Sequence, residues 1–308
     1  MAGYENHAGF NITDSKLQVV EVDFVDGQFR LVRIDQVLFD ESLDFQNDQD
    51  KKIGALLQGA FAKLSANKKF NATKVSFALP FELFLTAQLQ YDTSLLYRDL
   101  IEEFKWELSI LYPFASIPDL VFQYYEVEKN EFIDSNTALV FGINRKYLQL
   151  LETFCTKNSL QLNFVDHPHV AADRALSISS SLYSDGFVLN IYIDKANLSL
   201  IYSLNGKVIS FKTIPLNDLS EITDILNKET EQSALLKIDR SILKNIFISG
   251  TAVSSSIIQT LKKTFNCNFV SFNPFDKIRP LPELYENRNY LEHYNSFSAA
   301  SGIAFRLS

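Results

Sequence analysis

The order of apolar and polar positions predicts a meander of three strands at the start of each half of the chain. Residues 17–24 alternate with a period of two, which is typical of a strand with one strongly apolar side. Asp26-Gly27 favours a tight hairpin turn into a next strand at 29–34, and Asn205-Gly206 favours the same turn between 198–204 and 207–214. We therefore expect meanders at about 8–38 and 187–214.

Helices and further strands are predicted after each meander. Apolar residues spaced three and four apart predict helices at about 53–64, 96–111, 145–156, 170–182, 253–265 and 297–305. Apolar runs predict strands at about 74–79, 83–89, 120–127, 137–141, 160–165, 246–248 and 269–272. The polar stretch 40–52 predicts a loop, and 217–244 is mixed. The pattern indicates an α/β fold class with mixed sheets (α+β) in two lobes.

Composition narrows the class of protein. The 308 residues include only 10 glycines, where average usage gives roughly 22, and 26 phenylalanines. This excludes collagen-like and Pro/Gly-rich disordered chains and disfavours several glycine-rich phosphate loops. The net charge of −8, without a run of Lys or Arg, disfavours nucleic acid as a partner.

The two cysteines and the apolar runs predict a cytoplasmic protein. Cys155 and Cys267 are expected to be core residues, which fits a reducing compartment. No apolar run reaches the roughly 18 residues that span a bilayer. The start of the chain lacks a basic region followed by an apolar stretch, so no signal peptide is expected.

A few side chains invite a chemical interpretation. Trp106 lies off the apolar stripe of its helix and is expected to pack against a neighbouring element; the alternative is an exposed partner anchor. Glu102, Glu103 and Glu107 predict a solvated helix face. Asp166-His167-Pro168-His169 has metal-ligand residue types, but Pro168 breaks the strand, so we expect Asp166 to cap a helix. No nucleophile or phosphate-loop motif is present.

A series of short segments carries a family resemblance over nearly the whole chain. They are Phe10–Val22, Lys74–Pro80, Leu111–Phe114, Asn163–Ala175, Ser203–Lys207, Ile246–Thr251, Phe272–Phe275 and Ser298–Arg306. In their order and spacing the chain resembles the PilM family of type IV pilus assembly proteins, within the actin-like superfamily. The resemblance implies a two-lobed actin-like ATPase fold. Its expected first lobe is 1–183 with a small inserted subdomain at about 71–143, and its second lobe is 184–308, whose C-terminal helix at about 297–306 packs back on the first lobe.

The nucleotide motifs of that superfamily are degenerate in this sequence. In members that bind ATP, the first turn uses an Asp for magnesium, a Gly and a downstream Lys; the aligned residues here are Asn11, Thr13 and Gln18. The second phosphate turn falls on Tyr192, Ile193, Asp194 and Leu198, and the adenosine-side Gly pair is Gly250-Thr251. A register shifted by two puts Asn190 at the Asp position and Asp194 in the loop, again without a glycine.

These changes predict that the ATP and magnesium site is lost and that no cofactor binds. A Cβ where φ is positive or where contact is close costs about 1–2 kcal/mol, and a carboxylate facing a phosphate costs more. No catalytic residue and no metal site are expected, so the eight positions from Asn11 to Thr251 are vestigial and the chain is a pseudo-ATPase.

The resemblance implies a bacterial, non-enzymatic scaffold for type IV pilus biogenesis or a related secretion system. Such a protein binds the short cytoplasmic tail of a single-pass, PilN-like inner-membrane protein, and reaches the membrane only through partners. Contacts with an assembly ATPase and self-association are further expectations. Strand-edge or groove capture by the inserted subdomain would suit an extended tail.

Three other functions stay open at this point. The first is an active ATP-binding actin-like ATPase or sugar kinase, which would need intact phosphate turns. The second is an FtsA-like cell-division filament protein, which would normally add a C-terminal amphipathic helix. The third is the cytoplasmic domain of a type II secretion platform protein, which would usually continue into a transmembrane helix.

Overall fold

The computed structural model describes residues 6–231, 242–243, 245–265 and 267–306. Two expectations from the sequence concern residues that lie partly outside these ranges. The absence of a signal peptide was argued from the first residues of the chain, and 1–5 lie outside the described residues. So do 232–241 and 244 of the mixed segment.

The described elements follow the predicted order closely. The strands are β1 (His7–Ile12), β2 (Lys16–Val25), β3 (Gln28–Leu38), β4 (Lys74–Ala78), β5 (Phe84–Gln90), β6 (Leu120–Val127), β7 (Thr137–Asn144), β8 (Gln161–Asp166), β9 (Phe187–Ile193), β10 (Asn197–Leu204), β11 (Lys207–Pro215), β12 (Asn245–Ser249), β13 (Asn268–Ser271) and β14 (Arg279–Pro280). The helices are α1 (Asp50–Asn67), α2 (Tyr97–Leu111), α3 (Arg145–Lys157), α4 (Pro168–Ser179), α5 (Ile222–Glu231), α6 (Ser255–Phe265), α7 (Arg288–Leu291) and α8 (Ser298–Ala304). Only the short elements β14, α5 and α7 lack a specific prediction.

A six-stranded sheet forms the centre of a first compact unit, which comprises Met1–Leu83, Lys146–Ser181 and Phe272–Ser308. Its strand order is β14-β3-β2-β1-β4-β8. Strands β1, β2 and β3 form an antiparallel meander, and β4 and β8 run parallel to β1. The turn between β2 and β3 holds Asp26 at φ +53° and Gly27 at φ +80°, as the Asp-Gly pair predicts.

The helix α8 is buried along its whole length in this first unit, against α4 and β1. Two glycines permit that approach. A Cβ at Gly302 would lie 1.6 Å from the carbonyl oxygen of Ala171 in α4, and one at Gly9 would lie 2.3 Å from the carbonyl oxygen of Ala300. The backbones of α8, α4 and β1 are therefore too close to admit any larger residue at either position.

A five-stranded sheet in the second unit repeats the same topology. This unit comprises Phe84–Arg145 and Leu182–Ser271, and its larger sheet has the order β11-β10-β9-β12-β13. Strands β9, β10 and β11 form an antiparallel meander, and β12 and β13 run parallel to β9. This is the order β3-β2-β1-β4-β8 of the first unit again, with the Asn205-Gly206 turn in left-handed conformation.

A smaller sheet of order β5-β7-β6, covered by α2, belongs to the second unit. It is joined to β11 by side-chain contacts. The amide of Gln88 donates to the carbonyl of Ile209 at 3.0 Å and accepts from the hydroxyl of Ser210 at 2.8 Å. The rings of Phe141 and Phe211 meet edge to face at 5.0 Å. The lobe boundaries and the inserted subdomain given by the resemblance stay a prediction, since residues 84–145 group here with 182–271.

Candidate functional site

The turn between β1 and β2 is closed by its own threonine. The hydroxyl oxygen of Thr13 accepts the backbone N–H of Ser15 at 3.3 Å and of Lys16 at 3.1 Å. The backbone N–H of Thr13 in turn donates to the carbonyl of Lys16 at 3.0 Å, and the hydroxyl lies 3.3 Å from that same carbonyl. The N–H groups of Thr13, Ser15 and Lys16 are therefore engaged inside the turn.

A row of neutral amides crosses the sheet beside this turn. Asn11, Gln18 and Gln36 are register partners on β1, β2 and β3. Asn11 donates to the side-chain oxygen of Gln18 at 2.9 Å, and Gln18 donates to that of Gln36 at 3.1 Å. Asn11 and Gln18 are buried, and Gln18 also reaches the hydroxyl of Ser296 at 3.4 Å. The positions that the resemblance assigns to a carboxylate and a lysine thus hold uncharged groups bonded to each other.

The turn between β9 and β10 is closed by Asp194 in the same way. Its Oδ1 accepts the backbone N–H of Ala196 at 2.8 Å and of Asn197 at 2.6 Å. The N–H of Asp194 donates to the carbonyl of Asn197 at 3.0 Å, and the Asn197 side-chain amide lies 3.3 Å from the carboxylate.

The two turns are equivalent in place and in bonding. Each joins the first two strands of one of the two repeated sheets, and in each the first turn residue accepts from the N–H groups two and three positions later. Successive N–H groups in a turn form a concave site for an anion when nothing else engages them. Here Thr13 and Asp194 supply the acceptor.

The flanks of the second turn are core residues. Tyr192 and Leu198 are both buried, so the position where the superfamily has a hydroxyl carries an apolar side chain inside the sheet packing. Asn190, the Asp position in the shifted register, lies in the middle of β9 opposite Ile201 and is buried there. It therefore lies inside the sheet, four residues before Asp194, and is not part of the turn.

Gly250 is the one glycine at these positions, and the backbone requires it. Its φ is +127°, and a Cβ would lie 2.1 Å from the carbonyl oxygen of Ile193. The N–H of Ala252 donates to that carbonyl at 3.2 Å. The close approach between the ends of β12 and β9 accounts for Gly250, and the next residue, Thr251, is half-buried.

The expected cost of a Cβ at a positive φ does not arise at these positions, and the cost of close contact with a phosphate stays a prediction. Among the described residues, the non-glycine residues with positive φ are Asp26, Ser159 and Asn205. Thr13, Asp194 and Thr251 therefore have ordinary backbone conformations. The features that the structure shows at Thr13 and Asp194 are the hydrogen bonds that close each turn and, at Asp194, a carboxylate.

Comparison with known proteins identifies the fold. No family model and no curated protein matches the chain. Among solved structures, it matches a chain of the PilM-PilN type IV pilus biogenesis complex with a TM-score of 0.77 and 16% identity, over 97% of each chain. It also matches a Bacteroides thetaiotaomicron protein of unknown function with an actin-like ATPase fold, with a TM-score of 0.58 and 11% identity, over 99% of this chain and 97% of that one.

A third match is the ethanolamine utilization protein EutJ from Carboxydothermus hydrogenoformans, with a TM-score of 0.51 and 10% identity, over 98% of this chain and 89% of that one. The chain has an actin-like fold. This confirms the predicted fold class. Within the actin-like fold, the predicted site residues form one group in each unit. The first group is Asn11, Thr13 and Gln18, and the second is Tyr192, Asp194, Leu198, Gly250 and Thr251.

The predicted helix cap at Asp166 is wrong. His167 caps α4, and its Nδ1 accepts the backbone N–H of His169 at 3.2 Å. Asp166 ends β8 and forms ion pairs with Arg174, at 2.9 Å, and with Arg306. Sequence reasoning missed these partners because Arg306 is remote in the chain. Among the residues that the structure describes, no group of three or more His, Cys, Asp or Glu is placed to hold a metal.

A buried histidine that the sequence did not single out joins β1 to the end of α8. Nδ1 of His7 donates to the carbonyl of Ala304 at 2.8 Å, so Nε2 accepts the hydroxyl proton of Ser76 at 2.8 Å. The Ser76 oxygen accepts the N–H of Phe164 at 3.2 Å. Burial lowers the pKa of His7, and burial lowers the pKa of His167 to about 3. Both imidazoles are therefore neutral at pH 7.

The expected packing of Trp106 is also wrong. Its side chain is 64% exposed on the outer side of α2, which is the alternative that the sequence left open. Glu102 is exposed as expected, but Glu103 and Glu107 are half-buried. Burial raises the pKa of the Cys155 thiol to about 12, as for a core residue, whereas Cys267 is half-buried.

No helix in the described ranges has the length and apolar content that crossing a bilayer requires.

Proposed function

We propose that the chain is a non-enzymatic, actin-like scaffold of type IV pilus or related secretion machinery that binds the cytoplasmic tail of a PilN-like inner-membrane protein. The observation that carries the loss of ATPase activity is the closure of both phosphate turns by Thr13 and Asp194. The chain shares its fold with a chain of the PilM-PilN type IV pilus biogenesis complex, and this supports a role in pilus or secretion machinery.

Closure of the turns opposes phosphate binding in two ways. A phosphate oxygen would have to displace a side-chain oxygen that already accepts two N–H groups in each turn. At Asp194 it would also meet a carboxylate. Two like charges roughly 4 Å apart repel by about 4 kcal/mol at an effective dielectric constant of about 20.

The amide row offers no compensation for that repulsion. Asn11 and Gln18 are neutral and bond to each other, so neither an acidic magnesium ligand nor a cationic phosphate partner stands at those positions. Binding of ATP with magnesium is therefore unfavourable at both the metal and the phosphates.

Two features of the described residues suit a short peptide tail. Strand β6 pairs only with β7 among the described strands, so its other edge has no strand partner there and suits strand addition by a peptide. In the first unit, α1 and α3 line a groove of about 690 Å³, whose lining includes the apolar Leu150 and Phe154 and the cationic Lys51, Lys146 and Lys157. We favour the β6 edge, since it lies in the predicted inserted subdomain. The scaffold would thus be cytoplasmic and held at the inner membrane through its partner.

The test of the lost nucleotide site is calorimetric titration of the full chain with ATP and magnesium. We expect no binding heat at millimolar ATP, and low-micromolar affinity would overturn the proposal in favour of an active ATPase. Asp194→Gly and Asp194→Asn form a matched pair. If charge is the barrier, both raise the affinity for ATP, and if occupied N–H groups are the barrier, only the glycine variant does.

The test of the partner uses synthetic peptides from the cytoplasmic tails of single-pass inner-membrane proteins encoded nearby. We expect one tail to bind in a titration, and N-methylation of alternate backbone amides of that peptide to abolish binding at the β6 edge. Binding that survives every N-methylated peptide would point to the groove instead. If no tail binds, and deletion of the protein leaves pilus assembly and secretion unchanged, the scaffold proposal is wrong.

A further inference from the structure

The C-terminal end of α2 exposes large apolar side chains that nothing in the described structure covers. Trp106, Ile110 and Leu111 are 64%, 59% and 55% exposed, and Phe114, three residues beyond the helix end, is fully exposed. Scattered single apolar residues are ordinary on a surface, but these four lie within nine positions of one another. We call Trp106, Ile110, Leu111 and Phe114 the α2 strip.

Trp106 and Ile110 lie on a different side of α2 from the face that packs on its sheet, whereas Leu111 continues that packed face at the exposed end of the helix. That face buries Leu100, Phe104 and Leu108 with the apolar side chains of the β5-β7-β6 sheet. Trp106 and Ile110 are four positions apart and therefore adjacent on the solvent side, one turn from each other. The helix is apolar on both sides over its last two turns, so packing within the subdomain does not account for the strip.

Carboxylates flank the strip. Glu103 and Glu107 lie one turn apart beside Trp106 and Ile110, and Oε2 of Glu103 is buried with no hydrogen-bond partner among the described residues. Burial and the neighbouring Glu103 raise the pKa of Glu107. A buried carboxylate oxygen without a donor, next to a second carboxylate, is stabilised by an incoming cation.

We propose that the α2 strip docks an amphipathic helix of another protein, with an apolar stripe bordered by Lys or Arg on one side. The spacing of Trp106 and Ile110 suits a helix packed along α2, and the cationic side chains of the partner would reach Glu103 and Glu107. Tryptophan is one of the residues enriched among those that dominate binding energy at interfaces.

Charge favours a cationic amphipathic helix over two other partners of the α2 strip, a second copy of the chain and a membrane surface. A second copy of the chain would place the same acidic flank against itself, and the chain carries a net charge of −8. An anionic membrane surface would be repelled by the same carboxylates. The inference is independent of the proposed tail binding at the β6 edge, so either can fail alone.

The experiment uses Trp106 as the reporter, because it is the only tryptophan of the chain. The probe is a helical peptide of about 18 residues with leucines spaced as a stripe and lysines along its border, and the control peptide has glutamates in place of the lysines. We expect the lysine peptide to shift Trp106 emission to the blue and to protect it from acrylamide quenching, and the glutamate peptide to do neither.

Variants of the full chain test which residues contribute to the affinity for the lysine peptide. Ile110→Ala and Phe114→Ala should each weaken the lysine peptide about 10-fold, and the Glu103→Gln/Glu107→Gln pair about 5-fold. Leu291→Ala, at an exposed leucine outside α2, and Glu128→Gln, at an exposed carboxylate directly after β6, should leave the affinity unchanged.

Three outcomes would overturn the inference. The first is unchanged emission with the lysine peptide, and the second is an equal response to both peptides. The third is a blue shift that grows with protein concentration in the absence of peptide, which would show that a second copy covers the strip.

Discussion

At the scale of single residues, Thr13 and Asp194 show how one side-chain oxygen changes what a turn offers to a ligand. Each accepts two N–H groups of its own turn, so the turn is stable without an anion. The identity of these residues was readable from the sequence through the family resemblance. Their ordinary φ angles could not be predicted from the sequence, because the backbone conformation of a turn depends on the hydrogen bonds that close it.

Removing the acceptor at Asp194 should destabilise the second unit. We expect Asp194→Ala to lower the free energy of unfolding by about 1–2 kcal/mol, since two backbone N–H groups lose their partner. Asp194→Asn keeps an acceptor oxygen and should cost less than half as much. Urea unfolding of both variants measures the difference, and equal losses would show that charge rather than hydrogen bonding stabilises the turn.

The buried His167 predicts a loss of stability on mild acidification. Its pKa is about 3 in the folded state, below the unfolded value of 6.5, so the unfolded chain binds more protons between these values. The contribution of His167 to stability is complete above pH 6.5 and declines as pH falls towards 3. Urea midpoints at pH 7.5 and 5.5 measure the slope.

The variant His167→Asn retains an N-cap acceptor and removes the titration. Its slope between pH 7.5 and 5.5 should be smaller than that of the native chain. It should not vanish, because burial also lowers the pKa of His7 and gives a slope of the same sign. An unchanged slope in this variant would contradict the assignment.

At the scale of elements, local sequence patterns predicted the type of each helix, strand and turn well, but they did not predict which side chains meet in space. The Asp26-Gly27 and Asn205-Gly206 turns were found as predicted, since the turn type is set by the residues that form it. The N-cap of α4 was not predicted correctly, because Asp166 instead forms an ion pair with Arg306, which lies 140 residues away in the chain. Exposure of Trp106 was unpredictable for a similar reason: helical spacing gives its side of α2 but not what covers that side.

Two helical glycines should respond oppositely to alanine. In α1, a methyl group at Gly59 would meet no atom within 4 Å beyond its chain neighbours and the nearby backbone of its own helix, so Gly59→Ala should stabilise the protein by about 0.5–1 kcal/mol. In α8, a methyl group at Gly302 would overlap the carbonyl of Ala171, so Gly302→Ala should cost about 3 kcal/mol or more. Thermal unfolding of the two variants gives the comparison, and a shift of the same sign in both would refute this account of α8 packing.

At the scale of the whole molecule, one sheet topology is used twice, in units assembled from separate stretches of chain. The repeated order of strands was suggested by the meander and helix pattern of the sequence. The grouping of segments was not, because it depends on contacts such as Gln88 with Ile209 that join residues far apart in sequence. Periodicity describes an element but not its neighbours in space.

The ion pairs of Asp166 should stabilise the first unit specifically. Asp166→Asn leaves Arg174 and Arg306 without their carboxylate and should cost about 2 kcal/mol, whereas Arg306→Ala leaves Asp166 paired with Arg174 and should cost less. Hydrogen exchange should accelerate in α4 and α8 and stay unchanged in β9–β11. Equal acceleration in both units would contradict a local role.

The burial of α8 against β1 and α4 leads us to expect a particular order of folding during synthesis. The segments of the second unit end at Ser271, so that unit is fully translated before the first unit receives 272–306. Until then β1 and α4 lack the helix that covers them, and we expect their apolar surface to stay exposed. We expect ribosome-stalled chains that expose residues up to about 290 to protect β9–β11 from protease while β1 remains cleavable. Protection of β1 at that length would rule this order out.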